Sequence, residues 1–361
     1  MNRVIFFIFV QASLLMGSDV AYYHPALTTY LPDKHSIKVE AEYKDFPQYT
    51  IKSAFENSKS GSNTEQYLNL YYVSPKIWGG RVTFSHKRDT STGVNSSWNG
   101  PVTSQSAYSF ELKNTQTQLG YAKSFSDLTL FAGIQRVYKE GDTTAYPAGN
   151  TLINSADGDN YGPIFGLSYR FKEWLFLSVN YNTKVDVTLK GSNYSNIAGK
   201  ISAETELSHP ARLSATIFLY TSKDALWILG AEKKYWSAYK ELDIDYSDTT
   251  VESIFGAAIP KNWEDIMIYK FGHQHTFNDL KLLGLIALAE DQVPDSTRNY
   301  PVPGGDVTAY VLRADYQLNE AFGVSLGYKF VDYDDSHSDL HNADFSTSGA
   351  HVMNLGVQYN F

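Results

Sequence analysis

What most constrains this chain is a rhythm that runs from Ile37 to its end. Stretches in which apolar and polar residues alternate strictly recur along it, and the links between them are short, then long, then short again. Strict period two places one residue set on each face of an extended strand. The last twelve residues, A-H-V-M-N-L-G-V-Q-Y-N-F, are the plainest case. Met353, Leu355, Val357, Tyr359 and Phe361 share one side; Asn354, Gly356, Gln358 and Asn360 share the other. One face suits lipid and the other water, the signature of a transmembrane barrel strand.

The alternation predicts strands near 36–48, 65–74, 80–88, 106–124, 127–139, 160–172 and 174–190. It predicts seven more near 199–221, 225–237, 263–277, 279–290, 307–318, 321–333 and 350–361. Short turns fall at 74–79, 124–127, 172–173, 222–224, 277–279 and 319–320. Long links fall at 49–64, 89–105, 140–159, 191–198, 238–262, 291–306 and 334–349. Short periplasmic turns and long external loops are how bacterial barrels are strung, and about fourteen strands is an even number, as they require. A soluble sandwich has no reason to alternate its links so regularly. The expected fold class is therefore all-β: a transmembrane antiparallel β-barrel of about 14 strands, with a short N-terminal plug.

Individual strands carry the same message. On 174–190, Leu175, Leu177, Val179, Tyr181, Val185, Val187 and Leu189 share a side, opposite Asn180, Lys184, Asp186 and Lys190. On 307–318, Tyr310, Leu312 and Tyr316 oppose Arg313 and Asp315; on 321–333, Phe322, Leu326 and Tyr328 oppose Lys329. An unpaired charge facing lipid costs about 2–4 kcal/mol at the midplane, so the charged faces belong to the lumen. The third strand is the misfit, since the face set by Val82 and Phe84 then carries His86.

Composition agrees. Mean hydropathy is −0.32, and no segment downstream of the N-terminus holds the roughly 18 apolar residues of a spanning helix. Aromatics reach 15%, with 27 Tyr and 20 Phe, which suits interfacial girdles. There is no Cys, which excludes disulfides and thiolate chemistry, and the net charge of −9 without a basic run gives nucleic acid no footprint. Residues 1–18 read as a secretory signal, with Arg3 before an apolar run too short to span. The domain reading is then signal peptide 1–18, plug segment 19–35 and barrel 36–361.

No enzyme chemistry emerges. No serine sits in a nucleophile-elbow pattern. His273 and His275 share a strand face without a third ligand, and the loop bearing Asp332, Asp334, Asp335, His337, Asp339 and His341 lacks the Gly and Glu of a calcium loop. Neither metal nor cofactor is expected.

Several elements in order resemble the FadL/TodX family of outer-membrane channels for long-chain fatty acids and aromatic hydrocarbons. His24-Pro25-Ala26-Leu27 is similar to the family's Asn-Pro-Ala-Leu element. Asp159-Asn160-Tyr161-Gly162 leading to Tyr169-Arg170-Phe171, Tyr235-Trp236-Ser237 and the loop from Glu290-Asp291-Gln292-Val293-Pro294 to Arg298 resemble further family elements. The terminal strand ending on Phe361 fits the closing strand and implies handling by the barrel-assembly machinery.

The resemblance implies a monomeric barrel in outer-membrane lipid that takes up hydrophobic molecules passively, most simply fatty acids. Capture at external loops would use the amphipathic run Val251, Ile254, Phe255, Ala258, Ile259, capped by Thr249 or Thr250 and stopped by Pro260, unless that run merely packs on a neighbouring loop. A lumen cation, Lys184, Arg313 or Lys329, would steady a carboxylate, unless each is neutralised by a lumen acid. Exit would be sideways at a kinked third strand, with Ser85 and His86 at the kink and His24, Pro25 and Ala26 in the hatch. The hatch is shorter than the family's, and His24 replaces its Asn. The alternatives are an aromatic hydrocarbon channel, a general diffusion porin for polar solutes, and an adhesin working through its loops.

Overall fold

The computed structural model describes residues 24–45, 48–53, 57–61, 64–88, 94–102, 105–147, 152–256, 258–298 and 304–361. The expected signal peptide and the start of the plug segment lie outside them. The first seven barrel strands are β1 (Ser36–Asp45), β2 (Thr64–Val73), β3 (Gly80–Arg88, then Val94–Val102), β4 (Gln105–Phe125), β5 (Leu128–Pro147), β6 (Leu152–Lys172) and β7 (Leu175–Asn182, then Val185–Ser195). The rest are β8 (Gly199–His209, then Ala211–Tyr220), β9 (Ala225–Tyr235), β10 (Ile266–Phe277), β11 (Leu280–Ala289), β12 (Val307–Gln317), β13 (Phe322–Tyr333) and β14 (Ala350–Asn360).

Each strand pairs antiparallel with the next, and β14 returns to β1 in register from Ser36↔Asn360 to Asp45↔His351. The fourteen-strand barrel is closed. Closure follows from the solvent, because unpaired backbone groups in hydrocarbon cost several kcal/mol each. All short turns lie at the end where β1 starts and β14 stops. In the two-residue turn between β10 and β11, Asn278 takes φ 54°, a left-handed conformation that asparagine tolerates.

The outer face is an apolar belt of residues such as Leu119, Ile134, Leu229, Ile286, Leu312, Leu326 and Leu355. Aromatic rings collect at the short-turn end, where Phe322 stacks on Tyr359 at 4.7 Å and Tyr359 on Phe361 at 5.1 Å. His273 and His275 belong to this belt: their rings lie 4.4 Å from Trp227 and Phe277 respectively. Among the described residues no group could hold a metal ion.

The strand expected at 174–190 is not one pleat. It breaks at Thr183–Lys184, beside the Pro210 that breaks β8. Against β6 the register moves from Asn182↔Ile164 to Lys190↔Asp157, eight residues against seven. Beyond the break the facing inverts, as a one-residue slip must make it do. Val185, Val187 and Leu189 turn inward and bury against Val137 and Leu207. Lys184 turns outward, 44% exposed, and pairs with Asp186 at 2.8 Å.

Inside the short-turn end lies the N-terminal segment. Pro25–Tyr30 forms a 3-10 turn with proline at its start, where a missing N–H costs nothing. Leu27 is buried among Phe176, Phe218, Leu226 and Ile228, and Ala26 packs with Ala122, Phe131 and Ile164. Arg81 Nη2 donates to the Leu31 carbonyl at 2.7 Å, and His35 pairs with Phe361 in both directions, tying the segment to the wall.

Among the described residues the external loops carry one α-helix, α1 (Thr249–Phe255). Its cap is Asp248, whose carboxylate accepts from Thr250 N at 2.9 Å and Val251 N at 3.0 Å; neither Thr249 nor Thr250 caps, and the helix ends at Gly256, short of Pro260. Ile259 therefore lies beyond the helix, in a two-residue strand paired with Glu241–Leu242.

Candidate functional site

Above the N-terminal turn the barrel encloses a cavity of about 670 Å³, within the size range of ligand pockets. Its composition follows from which pleat face each strand turns inward. β11 is apolar on both faces: Leu282, Ile286 and Leu288 meet lipid, while Leu283, Leu285, Ala287 and Ala289 line the cavity. β10 adds Ile266 and Ile268, and β12 adds Val307, Ala309 and Val311. The lumen expected to be polar thus carries a continuous apolar wall.

The other walls are charged. Among the described residues eight lysines and arginines line the cavity against four carboxylates, Glu42, Glu232, Glu290 and Asp291, although the whole chain carries −9. One cationic cluster sits directly over the N-terminal turn. Glu232 is held by Lys270 at 2.7 Å and Arg212 at 4.0 Å, with Lys234 beside them on the inner face of β9. His24 lies beneath. Its Nδ1 accepts from Asn180 Nδ2 at 2.8 Å and stands 3.1 Å from Ser178 Oγ, and its ring meets Phe218 edge-on at 5.4 Å. Burial, reinforced by Lys270 and Arg212, pushes His24 down to about 3, so the ring is neutral and can accept. Its hydrogen-bond partners are on β7.

Of the expected cations, Arg313 and Lys329 line the cavity and Lys184 does not. Arg313 is tied to Glu40 and Asp315 at 3.1 Å each. Arg212, Lys234 and Lys270 were not anticipated. Their signal was present, since all three fall on the polar face of alternating strands, but which face is inner could not be compared across three strands. At the mouth, Trp236 packs edge-on against Trp263 at 5.0 Å, and Tyr239 against Trp263 at 5.0 Å.

The loop expected to capture cargo is divided. Val251 is fully buried with Leu152, Ile201 and Tyr246, so this side of α1 packs on strand ends. Ile254 and Ile259 are 50% and 43% exposed, and the Phe255 side chain lies outside the described residues. Arg298 anchors the loop from Glu290. Its Nε donates to the His337 carbonyl and its Nη2 to the Val293 carbonyl, both at 2.7 Å, and it pairs with Asp291 and Asp295.

The seam between β2 and β3 differs from its neighbours. Among the described residues its ladder runs from Val73↔Thr83 to Leu70↔His86, while β2 continues to Thr64 and stays paired to β1 along its whole length. Ser85 and His86 are not at a kink: the β3–β4 register is unbroken from Gly80↔Lys123 to Arg88↔Thr115. It resumes at Val94↔Leu112, so the chain has five residues on one side against two on the other. The irregularity expected at Ser85 and His86 is not there, and the register instead changes between Arg88 and Val94. Ser85 faces inward and His86 outward, the latter bonded to Thr117 at 2.8 Å.

Side chains bridge the two strands beyond that ladder. Arg88 Nε donates to Glu65 Oε1 at 2.7 Å, with Nη2 on the same oxygen, and Nη1 reaches Thr115 Oγ1 at 3.2 Å. Arg88 N donates to Asn69 Oδ1 at 3.0 Å. Arg88 and Asn69 both line the cavity, so this cluster stands on the lumen side of the seam.

Comparison with known proteins accords with this architecture. A structure titled as a Pseudomonas aeruginosa FadL homologue superimposes with a TM-score of 0.78 at 14% identity, covering 94% of each chain. The Pseudomonas putida toluene transporter TodX gives 0.72 at 13% identity over 94% of each chain. The Ralstonia pickettii toluene transporter TbuX gives 0.72 at 13%, covering 96% of this chain and 94% of its own. No curated protein matches by sequence. The family model described as outer membrane protein transport protein (OMPP1/FadL/TodX) matches residues 108–361. The chain belongs to this family of outer-membrane transport proteins, channels rather than enzymes.

Proposed function

We propose that the barrel takes up hydrophobic molecules with an anionic head, long-chain fatty acids first among them, by passive passage from the external loops into the lumen and sideways out past β3. The observation that carries this reading is the enclosed cavity, where an apolar wall from β10 to β12 faces an excess of cations. An alkyl chain gains about 0.8 kcal/mol per methylene buried on such a wall. A carboxylate gains charge-assisted bonds from Lys270, Arg212, Lys234 or Lys329. Arg313 is already committed to two carboxylates and is the weaker candidate. The β2–β3 ladder, which among the described residues ends at Leu70↔His86, supports lateral exit, since a greasy molecule gains nothing by entering periplasmic water.

The Trp236, Trp263 and Tyr239 cluster favours a second reading, monoaromatic hydrocarbons, because edge-to-face ring packing suits such cargo. The apolar wall and the plugged short-turn end weigh against a general diffusion porin. The test is uptake of labelled oleate and labelled toluene by bacteria lacking their own channel. Saturable oleate uptake supports the first reading. Toluene uptake without oleate supports the second, and neither, with the barrel folded and inserted, would sink both.

A further inference from the structure

The floor of the lumen is made of two different materials. The turn Pro25–Tyr30 packs on β3 to β6, and its Leu27 reaches β7, β8 and β9. Across part of the remaining arc, from β12 round to β1, the described residues offer a chain of ion pairs instead. Lys38 Nζ lies 3.1 Å from Glu40 Oε2. Arg313 Nη1 lies 3.1 Å from Glu40 Oε1, and Arg313 Nε 3.1 Å from Asp315 Oδ1. Lys38, Glu40 and Arg313 are only 2%, 5% and 10% exposed.

Position gives this chain its meaning. Arg313 lines the large cavity, while its partner Asp315 and the far member Lys38 line a second cavity of about 90 Å³ at the short-turn end, beside Pro32 and Asn360. The four side chains therefore stand between the two spaces. The strand register explains how they span the arc. Asp315, Ser325, Gly356 and Glu40 form one row across β12, β13, β14 and β1. Three strand spacings, about 14 Å, separate the two carboxylates along the wall. Arg313, one pleat above, bridges them by leaning over the middle of the row, where the residues are small. A Cβ on Gly356 would sit 2.3 Å from Ser325 Oγ and 3.2 Å from Lys38 Cε.

We infer that Lys38, Glu40, Arg313 and Asp315 form a charged septum that continues the floor beyond the turn Pro25–Tyr30, sealing the lumen from the periplasm against water and ions. A mixed-charge barrier suits that task. A cation entering meets Lys38 and Arg313, an anion meets Glu40 and Asp315, and neither gains by displacing the pairs. Arg313 is then a sealing residue rather than a cargo ligand. The seal holds whichever molecule the cavity carries.

The test is conductance in planar lipid bilayers bathed in KCl, with arabinose-driven swelling of liposomes as a second readout. Wild-type barrels should be silent. Arg313→Ala should give discrete current steps and swelling, because removing the side chain beyond Cβ leaves room for water, which needs only about 15 Å³ of probe space. Lys38→Ala, at the other end of the chain, should do the same, and Arg313→Met, which keeps bulk without charge, should conduct less than Arg313→Ala. Folding of each barrel is checked by heat-modifiable gel mobility. Silence in folded Arg313→Ala and Lys38→Ala barrels, or steps of equal size in the wild type, would overturn the inference.

Discussion

Removing either side of the Arg88–Glu65 latch should speed lateral exit, and the size of the effect can be worked from the geometry. The two side chains are 16% and 13% exposed, sheltered enough that their bonds are not screened away. Glu65 accepts two guanidinium donors, and a hydrogen bond to a charged partner contributes about 1.5–3 kcal/mol. Taking about 2 kcal/mol, loss of the pair shifts the balance between closed and open seam by roughly 30-fold. The main-chain ladder below, from Val73↔Thr83 to Leu70↔His86, is untouched and should keep the barrel folded. The assay is the initial rate of labelled fatty-acid uptake into cells for wild type, Arg88→Ala, Glu65→Ala and the double variant, each normalised to folded barrel in the outer membrane. Both single variants should raise the rate where exit limits it, and the double should match them rather than multiply them, since the pair acts as one unit. A fall in rate with Arg88→Ala but not with Glu65→Ala would mean that Arg88 holds cargo instead of the seam. Unchanged rates in all three variants would refute the latch.

Three further outcomes follow from named contacts. Lys270→Met removes one donor from the cluster over Glu232 and should weaken binding of an anionic amphipath about tenfold, while leaving a neutral hydrocarbon unaffected, as read from tryptophan fluorescence titrations at the Trp236–Trp263 mouth. Leu27→Ala opens a hole in the cluster of Phe176, Phe218, Leu226 and Ile228 and should cost about 2–5 kcal/mol of local stability, seen as faster proteolysis of the N-terminal segment in an otherwise intact barrel. The external loop bearing His337 should be held more firmly in acid. The Asp344 hydrogen bond at 2.7 Å, helped by Asp339 and Asp295, raises the His337 pKa above its ordinary 6.5. A group raised in the folded state stabilises it fully below the unfolded pKa and loses that contribution as pH rises through the folded value. Amide exchange in 336–347, corrected for intrinsic rate, should therefore be slower at about pH 5.5 than at about pH 8.5, and His337→Ala should abolish the difference.

Alternation in Met353 to Phe361, repeated with links of alternating length, determined the class of this molecule, because only a closed barrel satisfies the backbone of strands with one lipid face. The lipid-facing sides of β12, β13 and β14 were legible for the same reason. A regular pleat carries its facing along its whole length. Reading failed where the pleat did. Extending the facing of Leu175 to Tyr181 puts Lys184 inward, but one extra residue against β6 reverses it. A histidine on an apolar face points to a kink at Ser85 and His86, yet His86 belongs to the outer face and the register with β4 stays unbroken through Arg88. The charged faces of β9 and β10 were likewise visible strand by strand, but that Arg212, Glu232 and Lys270 meet over His24 depends on register among three strands. So does the septum: Lys38 and Glu40 alternate plainly in I-K-V-E-A-E-Y-K, but their joining to Arg313 required β13 and β14 to bring Ser325 and Gly356 between them. Period and link length are properties of neighbouring residues, and sequence holds them. Which inner faces confront each other is settled only when the last strand pairs with the first.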